Sequence, residues 1–330
     1  MKKPTFFGGL ALAALLVLAA VALNDRHPGA VEDGARLLPQ LETTLNEVTR
    51  IRIQGAGDDQ VTLLREESGW QVGERSYPAD VGDIRELLIS LSEATVLEEK
   101  TSNPALYERL GVQDYGTGET DNKQILIWAG DAQIAGVVLG KTASQPRGSY
   151  VRLIGGEASA LADRVLVASA DATQWLSTAL INVAPDQVEQ VDVTPSNSES
   201  YRLQRDEETR ELVLNGLGEA ETAKGANIAR VSRVLQNLRL EDVLPPDASA
   251  PDTGWSSAVY VLSDGSTVTV EAIEQDERKL ARLNIAASET ASDELRAAAE
   301  RTRDRVFEIQ GYKYNDVTLA RSLMVESGDA

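Results

Sequence analysis

The chain of 330 residues contains no cysteine and a single histidine, His27. The missing cysteine excludes disulfides, thiolate metal sites and thiol nucleophiles. His27 lies in a stretch expected to be a linker, which cannot fix a partner for it, so serine-histidine-acid catalysis and histidine-based metal sites lack support. We therefore predict no catalytic residue, no cofactor and no metal site, and expect that the protein is not an enzyme.

Charged residues are missing from one long stretch, the run from Phe6 to Leu23. As a helix rising about 1.5 Å per residue, this run nearly matches a hydrocarbon core of about 30 Å, so it is predicted to span a lipid bilayer. Lys2 and Lys3 precede the run, which favours a cytoplasmic N-terminus. A cleaved signal peptide ending at Ala22 is the alternative, whereas a lipoprotein signal would require a cysteine. Residues 1–23 are predicted to anchor the protein in a bacterial inner membrane, with its bulk in the periplasm.

Basic residues are few, 32 against 52 acidic ones, which gives a formal charge of −20. Two of the 32 precede the apolar run, so the part beyond the anchor carries 30 basic and 52 acidic residues, or −22. Nucleic acid and anionic lipid headgroups are poor partners for such a surface because both are negatively charged. We expect no nucleic-acid partner.

Two similar units follow residues 24–46, which we predict to be a juxtamembrane connector whose leucines dock on the domain. Residues 48–53 and 188–193 share the alternation of polar and apolar side chains that is typical of a strand. The first unit is predicted to cover residues 47–184 and the second residues 185–330. Strands cluster before and after one main helix in each unit. The predicted fold class is therefore α+β, with two tandem, mostly antiparallel sheet-plus-helix units behind one transmembrane helix.

The match between the units is predicted to extend over most of their length. The main helix and its exit, residues 87–97, are matched to residues 234–244, and hairpins are predicted at residues 129–132 and 263–266. Asp163-Arg164-Val165 recurs as Asp304-Arg305-Val306. The second unit differs by an insertion from Ser292 to Arg303, whose alanine and arginine pattern predicts a helix.

Several motifs resemble functional patterns but favour a structural interpretation. The segment from Ala135 to Thr142 fits a loosened phosphate-loop pattern, yet its apolar centre favours a strand, so we predict strand, glycine and turn. Four adjacent acid pairs are expected on solvated surface: Asp58-Asp59, Glu66-Glu67, Glu98-Glu99 and Glu207-Glu208. Of the four tryptophans, most are expected in the core and one on a loop: Trp70, Trp128 and Trp175 in the core, and Trp255 on the loop.

An ordered series of short motifs links the chain to a known family. The motifs are Leu38-Pro39-x-Leu41, Val48-Thr49-Arg50-Ile51-Arg52-Ile53, Gly69-Trp70-Gln71-Val72, Tyr77-Pro78-Ala79-Asp80, Leu87-Leu88-x-x-Leu91, Glu108-Arg109-Leu110-Gly111-Val112, and Leu139-Gly140 followed by Tyr150-Val151-Arg152. In this order they resemble family 4340 among the domains of unknown function, which comprises bacterial envelope proteins with an N-terminal membrane segment. The resemblance implies an accessory envelope role beside gliding-type ABC transporter components, and it brings no catalytic residues.

Three functions remain open from the sequence. The leading hypothesis is a non-enzymatic, single-pass inner-membrane protein whose duplicated periplasmic region binds a protein partner, such as an ABC-transporter-type complex. The second is a periplasmic module that binds a glycan or small ligand in an aromatic-lined pocket. The third is a carboxylate-dependent hydrolase of envelope polysaccharide, which needs two acids facing each other across a cleft at about 5–10 Å.

Overall fold

A computed structural model describes residues 33–116 and 121–327. The predicted anchor, the first part of the connector and His27 lie outside these residues. Within the described ranges, no helix is long and apolar enough to cross a membrane. The chain divides into two compact units: the first comprises residues up to 73 together with 79–175, and the second comprises 74–78 and the chain from 176 onward.

Short and medium-length strands dominate both units. In chain order they are β1 Arg50–Gln54, β2 Gln60–Glu66, β3 Gly69–Val72, β4 Tyr77–Pro78, β5 Val96–Thr101, β6 Lys123–Ala129, β7 Ala132–Ser144, β8 Arg147–Leu153, β9 Ser159–Ala162, β10 Ala179–Ile181, β11 Val188–Thr194, β12 Tyr201–Arg205, β13 Leu212–Leu214, β14 Glu221–Ala223, β15 Leu238–Val243, β16 Ser256–Leu262, β17 Thr267–Gln275, β18 Arg278–Ala286, β19 Phe307–Ile309 and β20 Val325–Ser327. The α-helices described are Pro39–Thr44, Val81–Glu93, Tyr107–Leu110, Gly225–Ser232, Asp293–Thr302 and Gly311–Val317.

The two units share one strand order. Eight strands of the first unit follow the order β3-β2-β1-β6-β7-β8-β9-β5, and the second unit repeats it as β13-β12-β11-β16-β17-β18-β19-β15, with β10 added beside β15. Neighbouring strands within each unit run antiparallel, for example β1 with β2 and β11 with β12. The predicted α+β class with mostly antiparallel sheets is confirmed.

The core of the first unit follows from strand alternation and one amphipathic helix. Ile51 and Ile53 of β1 are fully buried, whereas Arg50, Arg52 and Gln54, which alternate with them, are only partly buried. The helix Val81–Glu93 begins at Asp80, whose side chain accepts hydrogen bonds from the backbone N–H of Gly82 at 2.8 Å and of Asp83 at 3.3 Å. This cap satisfies two of the donors that a helix N-terminus leaves unpaired.

The end of the predicted connector is part of the first unit. Leu37, Leu38 and Leu41 are buried, as the sequence led us to expect. The backbone N–H of Gly34 donates to the carbonyl of Val96 at 2.7 Å, and the N–H of Val96 donates to Ala35 at 2.9 Å. The chain is therefore held to the start of β5 from residue 34 onward.

The residue-level match between the units was partly wrong. Asp163 directly follows β9, whereas Asp304 precedes β19, although β9 and β19 occupy the same place in the strand order. Likewise Val96 begins β5 while Val243 ends β15. The helix of the second unit has eight residues instead of thirteen and ends at Ser232, so the residues matched to helix positions from 234 onward form turns and the start of β15. The shift at Asp304 has another source, because the inserted helix Asp293–Thr302 stands directly before it.

A buried lysine stabilises the turn where that shorter helix ends. The Lys313 ammonium donates to the carbonyl oxygens of Arg233 at 2.7 Å, Val234 at 2.9 Å and Gln236 at 2.7 Å. Burial lowers the pKa of Lys313, with the charge of Asp316 acting in the opposite direction. A cation is favourable at this position because the last carbonyls of a helix carry partial negative charge.

The segment that resembles a phosphate loop is a strand, as predicted, but the predicted turn after its glycine is wrong. Gly140 lies inside β7, which continues to Ser144. A side chain at Gly140 would collide with the backbone carbonyl oxygen of Leu110. Glycine is therefore required there for close approach of two chain segments, not for binding phosphate.

Candidate binding groove at a sheet edge

One strand edge in the second unit is only partly covered. β18 pairs with β17 along its whole length, from Arg278 to Ala286. On its other side, β19 pairs only with Leu280 and Ala281. Residues 282–286 consequently have a strand neighbour on one side alone.

The inserted helix creates a cavity beside this edge. Ser292 caps the helix Asp293–Thr302 by accepting a hydrogen bond from the N–H of Leu295 at 3.1 Å, which confirms the helix predicted for the insertion. After the helix the chain returns toward β19 through Asp304, whose φ of 56° is left-handed. The cavity measures about 540 Å³. We call it the edge groove; its lining residues are Glu271, Arg282, Leu283, Asn284, Ile285, Ala299, Arg303, Asp304, Arg305 and Val306.

The charge of the edge groove differs in sign from that of the chain. Three arginines line it, Arg282, Arg303 and Arg305, against two acids, Glu271 and Asp304. The formal charge of the lining is thus +1 in a chain of −20. A guanidinium presents several N–H donors in one plane and pairs with carboxylates in a bidentate way, so these side chains favour an anionic ligand group.

The arginines of the edge groove are held mainly by contacts that leave N–H donors available. The Arg282 guanidinium lies over the Trp255 ring at 4.2 Å and makes one long hydrogen bond, 3.4 Å, to the carbonyl of Pro251. Arg305 lies over the Tyr77 ring at 5.4 Å and makes one long hydrogen bond, 3.5 Å, to the carbonyl of Arg75. Arg303 pairs with the exposed Glu300 at 2.7 Å, one turn away on the same helix. Stacking on an aromatic face positions a guanidinium without using its N–H groups.

The first unit has an arginine at the position equivalent to Arg282, but there the strand edge is paired. Arg152 of β8 occupies the position of Arg282, because the residue before each pairs with the next strand: Val151 with Ala160, and Ala281 with Phe307. In the first unit the pairing continues, and Arg152 itself pairs with Ser159. The corresponding edge is covered there.

The Arg152 side chain is 5% exposed and fully engaged. Its guanidinium donates to the carbonyls of Val112 at 2.8 Å and Gly156 at 3.0 Å and forms an ion pair with Asp114. It also lies over the Tyr107 ring at 4.9 Å. One arginine position thus serves packing in the first unit and faces a cavity in the second.

The tryptophans only partly follow the prediction. Trp175 is buried, and Trp255 lies on the loop before β16, where its indole N–H donates to Pro251 at 2.8 Å. Trp70 and Trp128 are only partly buried, so their assignment to the core was wrong. Trp128 sits beside the guanidinium of Arg50, 4.3 Å from its ring centre. The Arg50 guanidinium thus covers one face of the Trp128 ring, which is not enclosed in the core.

A second cleft, of about 260 Å³, carries carboxylates in the first unit. Asp83 and Glu86 line it together with Trp175 and Val167. Burial, followed by the charges of Asp80 and Glu86, raises the pKa of Asp83. Both lining acids come from the helix Val81–Glu93 and lie on one wall, whereas the acid pairs singled out in the sequence are exposed. Paired acids on opposite walls, as glycoside hydrolysis requires, are not found in this cleft.

No residue of the edge groove was predicted as a site residue. The local signal nearest to it was the insertion from Ser292 to Arg303, which forms one side of the edge groove. Among residues 33–116 and 121–327, no three histidine or acidic side chains converge to hold a metal ion.

Comparison with known proteins gives one match. A family model described as a domain of unknown function, DUF4340, matches residues 70–257, more than half of the 330 residues. The match covers most of the described first unit and about half of the second, and it ends before the residues of the edge groove. No curated protein and no solved structure matches the chain.

Proposed function

The chain belongs to the DUF4340 family, and from this premise we propose that it is a non-enzymatic, single-pass inner-membrane protein of a bacterium that binds a protein partner in the periplasm. The proposed partner is a component of an ABC-transporter-type envelope complex. The lipid bilayer would be contacted through the run from Phe6 to Leu23.

The observation that carries this proposal is the open strand edge at residues 282–286. Backbone donors and acceptors at a sheet edge pair with the backbone of another chain, which is a common way for proteins to recognise extended segments. A small ligand can use one or two of these peptide groups, whereas an extended chain can pair with the whole row. The edge groove therefore supports a protein partner over a glycan or metabolite.

The position of the anchor adds to the argument. Residues 24–33 separate the predicted bilayer segment from the residues docked on β5, and ten residues reach at most about 35 Å. The first unit would stay close to the membrane surface. Tethering near a membrane complex raises the effective concentration of the partner, so a modest interface suffices.

Photo-crosslinking in native membranes tests this function. We would place benzoylphenylalanine at Asn284, which lines the edge groove, and as a control at Ile154, which is two residues beyond Arg152 just as Asn284 is two beyond Arg282. The expected result is a crosslink from position 284 to a membrane-complex subunit, and none to that subunit from position 154.

A matched pair of groove variants completes the test. Ala299 lines the edge groove, whereas Ala297 on the same helix is exposed and does not. Ala299→Trp should fill the cavity and abolish the crosslink from position 284, and Ala297→Trp should leave it unchanged. A crosslink that survives Ala299→Trp, or that forms equally from position 154, would contradict the proposed function.

A further inference from the structure

The partner chemistry can be taken one step further, on the basis of the proposed function. We propose that the edge groove binds an extended, carboxylate-bearing segment of a partner protein, which adds to β18 as a strand and pairs its acidic side chains with Arg282, Arg303 and Arg305.

The size of the opening fits a short strand. Residues 282–286 lack a second strand neighbour, and at about 3.4 Å per residue they offer about 17 Å of edge, the length of a typical strand. The opposite wall is formed by Ala299 and the return segment 303–306. A cavity of about 540 Å³ between these walls accommodates a peptide segment, whereas a helix, about 10 Å across, needs a wider groove.

The distribution of arginines specifies the chemistry of that segment. Arg282 comes from the sheet, while Arg303 and Arg305 come from the opposite wall. Side chains of a bound strand alternate between two sides, so acidic residues at every second position would all point to one side. Charge-assisted hydrogen bonds from guanidinium to carboxylate are stronger than neutral ones.

The two acids in the edge groove restrict where a carboxylate can sit. Glu271 lies directly opposite Arg282 on β17, and Asp304 lies between Arg303 and Arg305 in the chain. Arg303 is already paired with Glu300 at 2.7 Å, whereas Arg282 and Arg305 form no ion pair with a residue that the structure describes. A carboxylate of the bound segment would therefore be a new partner chiefly for Arg282 and Arg305. A basic segment would be repelled by Arg303 and Arg305, which stand on the wall it must face.

The competing macromolecules are disfavoured by charge. Nucleic acid and anionic membranes present many negative charges over a wide area, and a chain of −20 repels them. A short peptide places its carboxylates within the edge groove alone. A free inorganic anion satisfies the arginines but not the strand edge, which is what the experiment must separate.

The test uses the full chain in detergent micelles and a fluorescein-labelled hexapeptide of sequence Thr-Glu-Val-Glu-Val-Thr with blocked ends. Binding is followed by fluorescence anisotropy. We expect Arg282→Met and Arg303→Met each to weaken binding about fivefold or more. Arg296→Met is the matched control, because Arg296 also forms an ion pair with an acid three residues away on the same helix but does not line the edge groove.

Two further peptides separate charge from strand addition. The lysine version, Thr-Lys-Val-Lys-Val-Thr, should fail to bind, and a version of the acidic peptide with alternate backbone amides N-methylated should lose most of its affinity. Equal binding of the lysine peptide would overturn the role of the arginines. Equal binding of the N-methylated peptide, or full displacement of the acidic peptide by millimolar inorganic phosphate, would overturn strand addition in favour of a simple anion site.

Failure of this inference can be told apart from failure of the proposed function. Suppose that the crosslink from position 284 forms and Ala299→Trp abolishes it, while the acidic peptide does not bind. The proposal of a protein partner at the edge groove is then supported, and the proposal that its bound segment is an acidic strand is refuted. If Ala299→Trp has no effect on the crosslink while the peptide still binds, the edge groove takes acidic segments but is not the site of the membrane partner.

Discussion

The two equivalent arginines should differ sharply in their contribution to stability. Arg152→Met keeps the bulk of the side chain and removes its N–H donors. The carbonyls of Val112 and Gly156, which accept from Arg152 at 2.8 and 3.0 Å, then lose their hydrogen-bond donor. An unpaired buried carbonyl costs about 1–2 kcal/mol. Asp114 is 74% exposed, so it rehydrates and adds little. We expect a loss of about 2–4 kcal/mol in the free energy of unfolding.

Arg282→Met should cost less than about 1 kcal/mol, because it removes one long hydrogen bond and a stacking contact with Trp255. Urea unfolding of the two variants and the unsubstituted protein, followed by far-ultraviolet circular dichroism, measures the difference. This signal reports on both units because strands dominate both. An unchanged urea midpoint for Arg152→Met, or an equal loss in both variants, would refute the distinction between a packing arginine and a groove arginine.

Three further predictions follow from single contacts. Gly140→Ala should lower stability by about 1–3 kcal/mol in urea unfolding because its methyl group meets a backbone carbonyl, whereas Gly225→Ala, in open space at a helix start, should be neutral or slightly stabilising. Hydrogen bonds from Arg321 are the main reason why the pKa of Glu221 is lowered to about 2. In Arg321→Met this pKa should rise toward about 4.3, as followed by an NMR titration. Because the pKa of Glu221 is lower in the folded than in the unfolded state, the pair stabilises the fold fully above about pH 5, and this stabilisation is lost as the pH falls toward about 2. Ser292→Ala should destabilise the inserted helix by about 1 kcal/mol and weaken the crosslink from position 284, and Ser292→Asp, which keeps a capping oxygen, should restore both.

The strands could be predicted because their signals are local. Alternation identified the strands now described as β1 and β11, and the turn residues near 130 and 264 identified the two long hairpins. Each of these features depends on a few neighbouring residues, whose side chains must alternate between a buried and a solvated face. Antiparallel pairing then follows from short connections between consecutive strands.

The alignment of the two units could not be read at residue level from the same signals. A shared tripeptide such as Asp163-Arg164-Val165 says nothing about whether it enters or leaves a strand. Its copy at Asp304 stands on the other side of the equivalent strand. The shorter second helix displaced the comparison around β15, and the turn that follows this helix is stabilised by Lys313, about eighty residues further along the chain.

The candidate site escaped prediction for a related reason. A groove at a strand edge is defined by hydrogen bonds that are not made, and which strand covers which edge depends on contacts far apart in sequence. The insertion from Ser292 to Arg303 was visible, but not that it would leave residues 282–286 open. Nor could the sequence separate Arg152 from Arg282, since both lie in similar alternating strands.

The edge groove and the predicted anchor address the same physical difficulty. Salt screens both the repulsion by a chain of −20 and the attraction by the arginines of the edge groove beyond a Debye length, about 8 Å at physiological ionic strength. An acidic segment that approaches from most directions therefore meets acidic surface and not the edge groove. Free association would therefore be slow even where the bound state is favourable. Anchoring both proteins in one membrane removes most of that penalty, because the effective concentration of the segment no longer depends on diffusion against the repulsive field. A locally basic groove in an acidic protein is thus useful chiefly when the protein is tethered beside its partner, because tethering favours that partner over acidic segments that are free in solution.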